Sequence, residues 1–333
     1  MPDDQVINNG TKKTFWDKII IQKLSAPVII VFLVCTSLAV SYVITREGYI
    51  AGLIILFALA ALPVAYATVV YPRFGIMTLI VVAFFINYSS RFLPEPTPIG
   101  LVMDAMTYLL ILGFFIKNKS DKQWDYFKNP ITYFTLAWLG YNLLELINPA
   151  SPSILEWVFT VRTVGVIMLM YFVFLYHIRT KEFIKLLIKL WLALEVIAAF
   201  SGLQQEHFGL FGFENEWLHR FPERYKLLFI GGHLRKWGIF SDPVVYAYNM
   251  VAAALVCIAL MFGPLRTNTK IILGFMAAFF FMVMLYSGTR ASYLIIPAGL
   301  SMLFILNFNK KVLIFAVVCA LNYFCAGQGE TAL

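Results

Sequence analysis

Eleven long apolar runs limit what this chain can fold into. They lie at about 27–44, 49–70, 74–89, 100–116, 131–147, 163–177, 183–203, 243–262, 271–287, 292–308 and 311–326. A helix needs roughly 20 apolar residues to cross a bilayer core, and these runs fall within a few residues of that length. Inside lipid every backbone N–H and C=O must be satisfied within the protein, so unbroken apolar runs become helices. A membrane barrel would instead alternate apolar and polar positions. Charge agrees: 13% of the 333 residues are charged, against about 25% in a soluble domain. The sequence therefore predicts an all-α polytopic membrane protein, with about eleven transmembrane helices in one bundle. It predicts a polar tail over 1–26, a transmembrane domain over 27–326 with one long loop over 204–241, and a short tail over 327–333. Residues 1–24 are polar and carry four lysines ahead of a run long enough to span. That pair reads as a cytoplasmic tail and a first membrane helix, not as a cleaved signal.

Lysine and arginine placement sets the orientation, because cytoplasmic loops are enriched in both. With the N-terminus inside, 17 of the 26 fall on the inner face and nine on the outer face. Five of those nine belong to the long loop, and long loops count for little in this rule. Inner charges are mostly lysine and outer charges mostly arginine. Arginine is the better fork for phosphate or carboxylate. The net charge of +8 follows from this topology, and no nucleic-acid partner is expected. Cys35, Cys257, Cys319 and Cys325 all lie in apolar runs without CxxC pairing, so neither a disulfide framework nor a zinc site is expected.

The outer loops differ in character. Arg91–Gly100 holds three prolines and reads as a stiff extended loop. Ile154–Val161 reads as an interfacial stretch before Arg162 begins the next helix. In the long loop, Pro222–Ile230 reads as a short helix. Pro222 suits the first helical position, Glu223 the positive end, and Gly231-Gly232 the stop. Phe208, Phe211, Phe213, Trp217 and Phe221 give that loop an interface-seeking character.

Two arginines stand at outer ends of the later runs. Arg235 lies in LRKWGIFSDP (Leu234–Pro243), and Arg290 in Ser287-Gly288-Thr289-Arg290. Segment 243–262 goes in and 271–287 returns through the short turn GPLRTNTK, which makes them antiparallel neighbours. Packed helices lie about 8–10 Å apart, so both arginines can reach one diphosphate and neutralise charge building on it as it leaves. The competing reading is that membrane-edge arginines snorkel to lipid headgroups. Ser287 and Thr289 are supporting candidates, because small residues let a ligand approach the backbone. Asp104 and Glu145, near outer ends of their runs, are further supporting candidates together with Arg162. They can orient an arginine or bind an acceptor hydroxyl. Glu195 lies mid-run, where a carboxylate can serve as a transporter's proton site.

LRKWGIFSDPVVYAYNM resembles a pattern of the O-antigen ligase and O-antigen polymerase family: an arginine, a glycine-aromatic pair and a proline leading into a helix. YSGTRASYLIIPAGL resembles that family's S-G-[ST]-R-[GA] segment, which opens the following helix. The likeness is close over about Leu234–Ile305, within a ligase-like region of about 234–326, and holds only in layout before it. It implies a metal-free, cofactor-free glycosyltransferase of the bacterial inner membrane, in surface polysaccharide and lipopolysaccharide biosynthesis. Such an enzyme moves a glycan from an undecaprenyl-diphosphate carrier to a glycan or lipid-A-core-like acceptor at the periplasmic face. It implies that Arg235 and Arg290 hold the diphosphate. It also implies a general base, often histidine, in an outer loop after the second arginine. That loop would lie past Leu333, so a C-terminally truncated, inactive member is one expectation. A flippase or transporter of lipid-linked saccharide is another. Within the long loop, His207, His219 and His233 are the imidazoles able to take a hydroxyl proton near neutral pH. His233, two residues from Arg235, is the candidate catalytic base. Their spacing matches no metal-ligand signature.

Overall fold

The computed structural model describes residues 27–93, 97, 99–121, 124–147 and 153–307. The chain divides into two units, residues 1–66 and 67–333. In the first, α1 (Pro27–Glu47) closes on Gly48 and α2 (Tyr49–Val70) begins at the next residue.

The second unit carries the remaining elements. Pro72 opens α3 (Pro72–Ser89), where its missing N–H costs no helical bond. After α4 (Gly100–Asp121), Asn129 caps α5 (Pro130–Leu144) by accepting from the Thr132 N–H at 2.9 Å. Ser153 caps α6 (Ile154–Thr160) by accepting from the Glu156 N–H. The sequence begins the next helix at Arg162, whereas the structure begins it at Ile154. The helix runs on through a π-turn at Val161–Gly165 into α7 (Val166–His177), a continuous apolar stretch from Leu155 to His177. No proline or polar break interrupts residues 154–165, and the π-turn absorbs Arg162 without ending the helix. Thr180 caps α8 (Lys181–His207), whose 27 residues extend past the apolar run 183–203.

The long loop folds into α9 (Gly212–His219), α10 (Pro222–Leu228) and a hairpin of β1 (Phe229–Ile230) with β2 (His233–Leu234). This also corrects the sequence reading, which carries the helix on to Ile230. Gly231 and Gly232 take φ of +63° and +81°. Two successive positive φ angles make the tight turn that matches the twist of paired strands, so Phe229 and Ile230 join a ladder. Asp242 then caps α11 (Pro243–Met261), accepting from Val244 and Val245. α12 (Thr267–Leu285) and α13 (Arg290–Asn307) complete the described chain.

Ten of the eleven apolar runs are helices, and 311–326 lies outside the described residues with the 1–26 and 327–333 tails. Among the described residues five stretches are long and apolar enough to cross a membrane: Pro72–Phe92, Gly100–Lys117, Leu155–His177, Pro243–Met261 and Thr267–Leu285. The chain is thus a helical membrane protein by length and apolarity. α5, with 15 residues, is too short to be among the five, and the run 311–326 lies outside the described residues. α11 is the centre of the larger core. Tyr246, Met250, Val251, Ala253, Ala254 and Cys257 on it are fully buried, against Phe280, Val283 and Leu300 of α12 and α13. A second core gathers Ile76, Leu110, Phe114, Met170 and Val173 from α3, α4 and α7.

Candidate functional site

The end of the long loop is bound to the turn between α12 and α13. Asp242 and Pro243 start α11 directly after the LRKWG segment, so that segment is held beside α12, the antiparallel neighbour of α11. Arg235 Nε donates to the Ser287 carbonyl at 2.8 Å, and its Nη2 donates to Thr289 Oγ1 at 2.9 Å. The next backbone N–H, of Lys236, donates to the Tyr286 carbonyl at 2.9 Å. The two motifs singled out in the sequence therefore meet.

The turn itself is built tightly. Gly288 sits at φ +59°, the left-handed region that glycine tolerates. Ser287, Thr289 and Ser292 are buried. Ser287 Oγ donates to the Met284 carbonyl at 2.7 Å and accepts from the Thr289 N–H at 3.1 Å. Thr289 Oγ1 donates to the Pro243 carbonyl at 3.2 Å, tying the start of α11 to the start of α13. Arg290 is exposed and is the first residue of α13, where helix N–H groups gather positive potential. A guanidinium has five N–H donors, and Arg235 spends two of them on the turn. What remains, with Arg290 and the helix start, suits an oxyanion.

Other polar groups border this turn. Tyr286 OH and His207 Nε2 lie 3.3 Å apart, ring edge against ring face. Lys236 Nζ is 3.6 Å from Glu206 Oε2. Of the three loop histidines, His207 is therefore the one tied to the residue preceding Ser287. His233 stands exposed on β2, with its backbone paired to Ile230. His219 Nδ1 donates to the Asn215 carbonyl, 2.8 Å away on its own helix. Sequence proximity to Arg235 favours His233, and α8, overrunning its apolar segment by a turn, carries His207 beside Tyr286.

Asp104 and Arg162 answer each other. Arg162 Nε donates to Asp104 Oδ2 at 2.8 Å and its Nη2 donates to the same oxygen, joining α4 to the π-turn. Glu145 opens a single 3-10 turn after α5 and hydrogen-bonds Tyr141, one turn back. Glu195 is fully buried on α8. The Trp191 indole one turn earlier approaches its carboxylate, but neither oxygen has a partner in hydrogen-bonding geometry.

A buried polar cluster that sequence reasoning misses holds the loop in place. Arg91, just past α3, is 2% exposed. Its Nη1 pairs with Glu214 Oε1 at 2.7 Å, and its Nη2 donates to the Gly238 and Phe240 carbonyls at 2.7 and 2.8 Å. Gln205 of α8 donates to Glu214 Oε1 at 2.8 Å and accepts from the Gly238 N–H at 2.9 Å. Tyr88, Trp217 and Trp237 place rings 4.9, 5.6 and 5.8 Å from the Arg91 guanidinium. These bonds fix Gly238–Phe240, three to five residues after Arg235, and so aim the segment that carries it. Among the described residues no cluster of three or more His, Cys, Asp or Glu side chains is placed to hold a metal ion. Comparison of the chain with family models, curated proteins and solved structures finds no match.

Proposed function

We propose that the chain is an O-antigen ligase- or polymerase-like glycosyltransferase. In this reading it has eleven spans in a bacterial inner membrane and a cytoplasmic N-terminus. It acts at the periplasmic face on an undecaprenyl-diphosphate-linked glycan and a glycan or lipid-A-core-like acceptor. The observation that carries the reading is the docking of Arg235 on Ser287 and Thr289, one residue from Arg290. A diphosphate needs several charge-assisted donors arranged in space, and guanidinium groups provide them. Transfer of the glycan breaks the bond between its anomeric carbon and the diphosphate, and the charge left on the departing oxygen has to be stabilised. Arg235, held rigid by two bonds to the turn, and Arg290, at the head of α13, supply that stabilisation without reorganising. The acceptor hydroxyl loses a proton as it attacks. In this reading His207, beside Tyr286, takes it from an acceptor lying over the turn.

The test is binding of a purified undecaprenyl-diphosphate-sugar to the purified chain in detergent. Wild type is expected to bind, and Arg235→Lys and Arg290→Lys to bind at least about tenfold more weakly. Snorkelling arginines tolerate lysine, so equal binding by all three proteins sinks the diphosphate reading.

A further inference from the structure

Arg73 and Arg91 flank α3, whose 18 residues span about 27 Å at 1.5 Å per residue. Arg91 belongs to the loop end of the second unit. Arg73 marks the opposite end, and there the structure holds a cavity of about 500 Å³. Its cationic lining is Arg73 of α3, Lys117 of α4 and Arg179 just past α7, with Tyr71, Tyr176 and His177 between them. Among the described residues no carboxylate lines it. The acid nearest in sequence, Glu182, is exposed on the first turn of α8 and does not reach the lining.

The cations here are placed, not splayed into water. The Arg179 guanidinium lies 4.4 Å over the Tyr176 ring, and its Nε donates to the Leu175 carbonyl at 3.4 Å. The Arg73 guanidinium lies 5.4 Å from the Phe183 ring. Tyr176 and His177 are buried and close the cavity from the core side. Lysines that only set topology need neither a concave wall nor ring contacts. Three like charges around one cavity repel one another, and the more so beside an apolar core of low dielectric. An anion seated among them reverses the sign of that term. Guanidinium and ammonium donors beside two phenols match the oxygens of a phosphate. The volume exceeds that of a bare phosphate and lies in the range of small-molecule sites.

We propose that this cavity binds the phosphate group of an anionic ligand, at the membrane face opposite the loop. Basic pockets between membrane helices capture phosphate headgroups in this way. The proposal does not depend on the chemistry assigned to the loop end. Two sources share the chemistry: an anionic phospholipid of that leaflet, or a soluble phosphate ester.

The experiment uses the purified full chain and native mass spectrometry. Dioleoyl-phosphatidylglycerol and dioleoyl-phosphatidylcholine are added in parallel, and thermal protection by inorganic phosphate is followed separately. Phosphatidylglycerol is expected to bind at least about tenfold better than phosphatidylcholine. The variant carrying Arg73→Gln and Arg179→Gln is expected to lose that preference. Lys117→Gln removes one cation from an exposed side chain and leaves the core intact, so it tests the site even where the arginine variant does not fold. Protection by inorganic phosphate that Lys117→Gln abolishes, without a lipid preference, assigns the site to a soluble phosphate ester. Equal binding of both lipids with no phosphate effect overturns the proposal, as does unchanged binding in the Lys117 and arginine variants.

Discussion

Arg235 reaches across 54 residues of sequence to donate from Nη2 to the hydroxyl of Thr289, 2.9 Å away. The hydroxyl passes the connection on to the Pro243 carbonyl at the start of α11. One threonine thus sets both the arginine and the relation between two helices. Removing its hydroxyl leaves a charged donor unanswered, at a cost of about 1.5–3 kcal/mol. On the function proposed above, Thr289→Val is expected to lower glycan transfer about tenfold or more, while Thr289→Ser retains most of it. Initial transfer rates in membranes carrying each variant check this. Equal rates for Val and wild type would show that the arginine is positioned by something else.

Gly288 offers a backbone test of the same turn. At φ +59° an L-residue with a Cβ costs about 1–2 kcal/mol. An added Cβ would lie 3.6 Å from Arg235 Cγ, an ordinary contact, so the penalty is conformational and not steric. Gly288→Ala is expected to lower the melting temperature and weaken donor binding. Gly288→Asn, a residue that tolerates the left-handed region, is expected to lose less of both. The reverse ranking would mean that the turn is not held in this conformation.

The Arg91–Glu214 pair predicts a stability effect away from the site. Both side chains are fully enclosed, and breaking a buried pair by removing one partner costs about 3–5 kcal/mol. Arg91→Leu and Glu214→Leu should each lower the melting temperature and expose Trp217 and Trp237 to quencher. The double variant is expected to be more stable than either single one, because no unpaired charge stays buried. Additive losses would argue against direct pairing.

Topology is open to labelling. In a cysteine-free background, a cysteine at Asn215, exposed on α9, is expected to react with an impermeant maleimide from outside the cell. One at Ser120, near the end of α4, is expected to stay unlabelled until the membrane is opened. The opposite pattern would invert the orientation and remove the loop from the periplasm.

The helical membrane class was legible because unbroken apolar runs allow little else, and even α13 starts at the arginine that the sequence singles out. The meeting of LRKWG with SGTR was legible for a geometric reason. A helical hairpin with a short connection must return its end to where it began. Arg91, Gln205 and Glu214 gave no such signal. Each reads as an edge or loop residue by type, and Arg91 and Glu214 stand 123 positions apart, so no periodicity links them. The Gly231-Gly232 pair was seen as a stop but not as a hairpin, because a helix stop and a two-residue strand turn both ask for glycine. The His207–Tyr286 contact gave no signal either, because the apolar pattern ends near residue 203 whereas the helix continues to His207.

The order in which the Arg91 cluster is completed has a consequence in time. Tyr88, its ring partner, is three residues earlier and leaves the ribosome with it. Glu214 follows 123 residues later, and the Gly238 and Phe240 carbonyls 147 and 149 residues later. At roughly 5–20 residues per second of synthesis, the guanidinium waits on the order of 6–25 s for its counter-charge. During that interval the Arg91 end of α3 is stably placed only where water or headgroups reach it. The loop therefore closes onto a helix end that has already settled at the membrane surface, and the turn that holds Arg235 forms only after it.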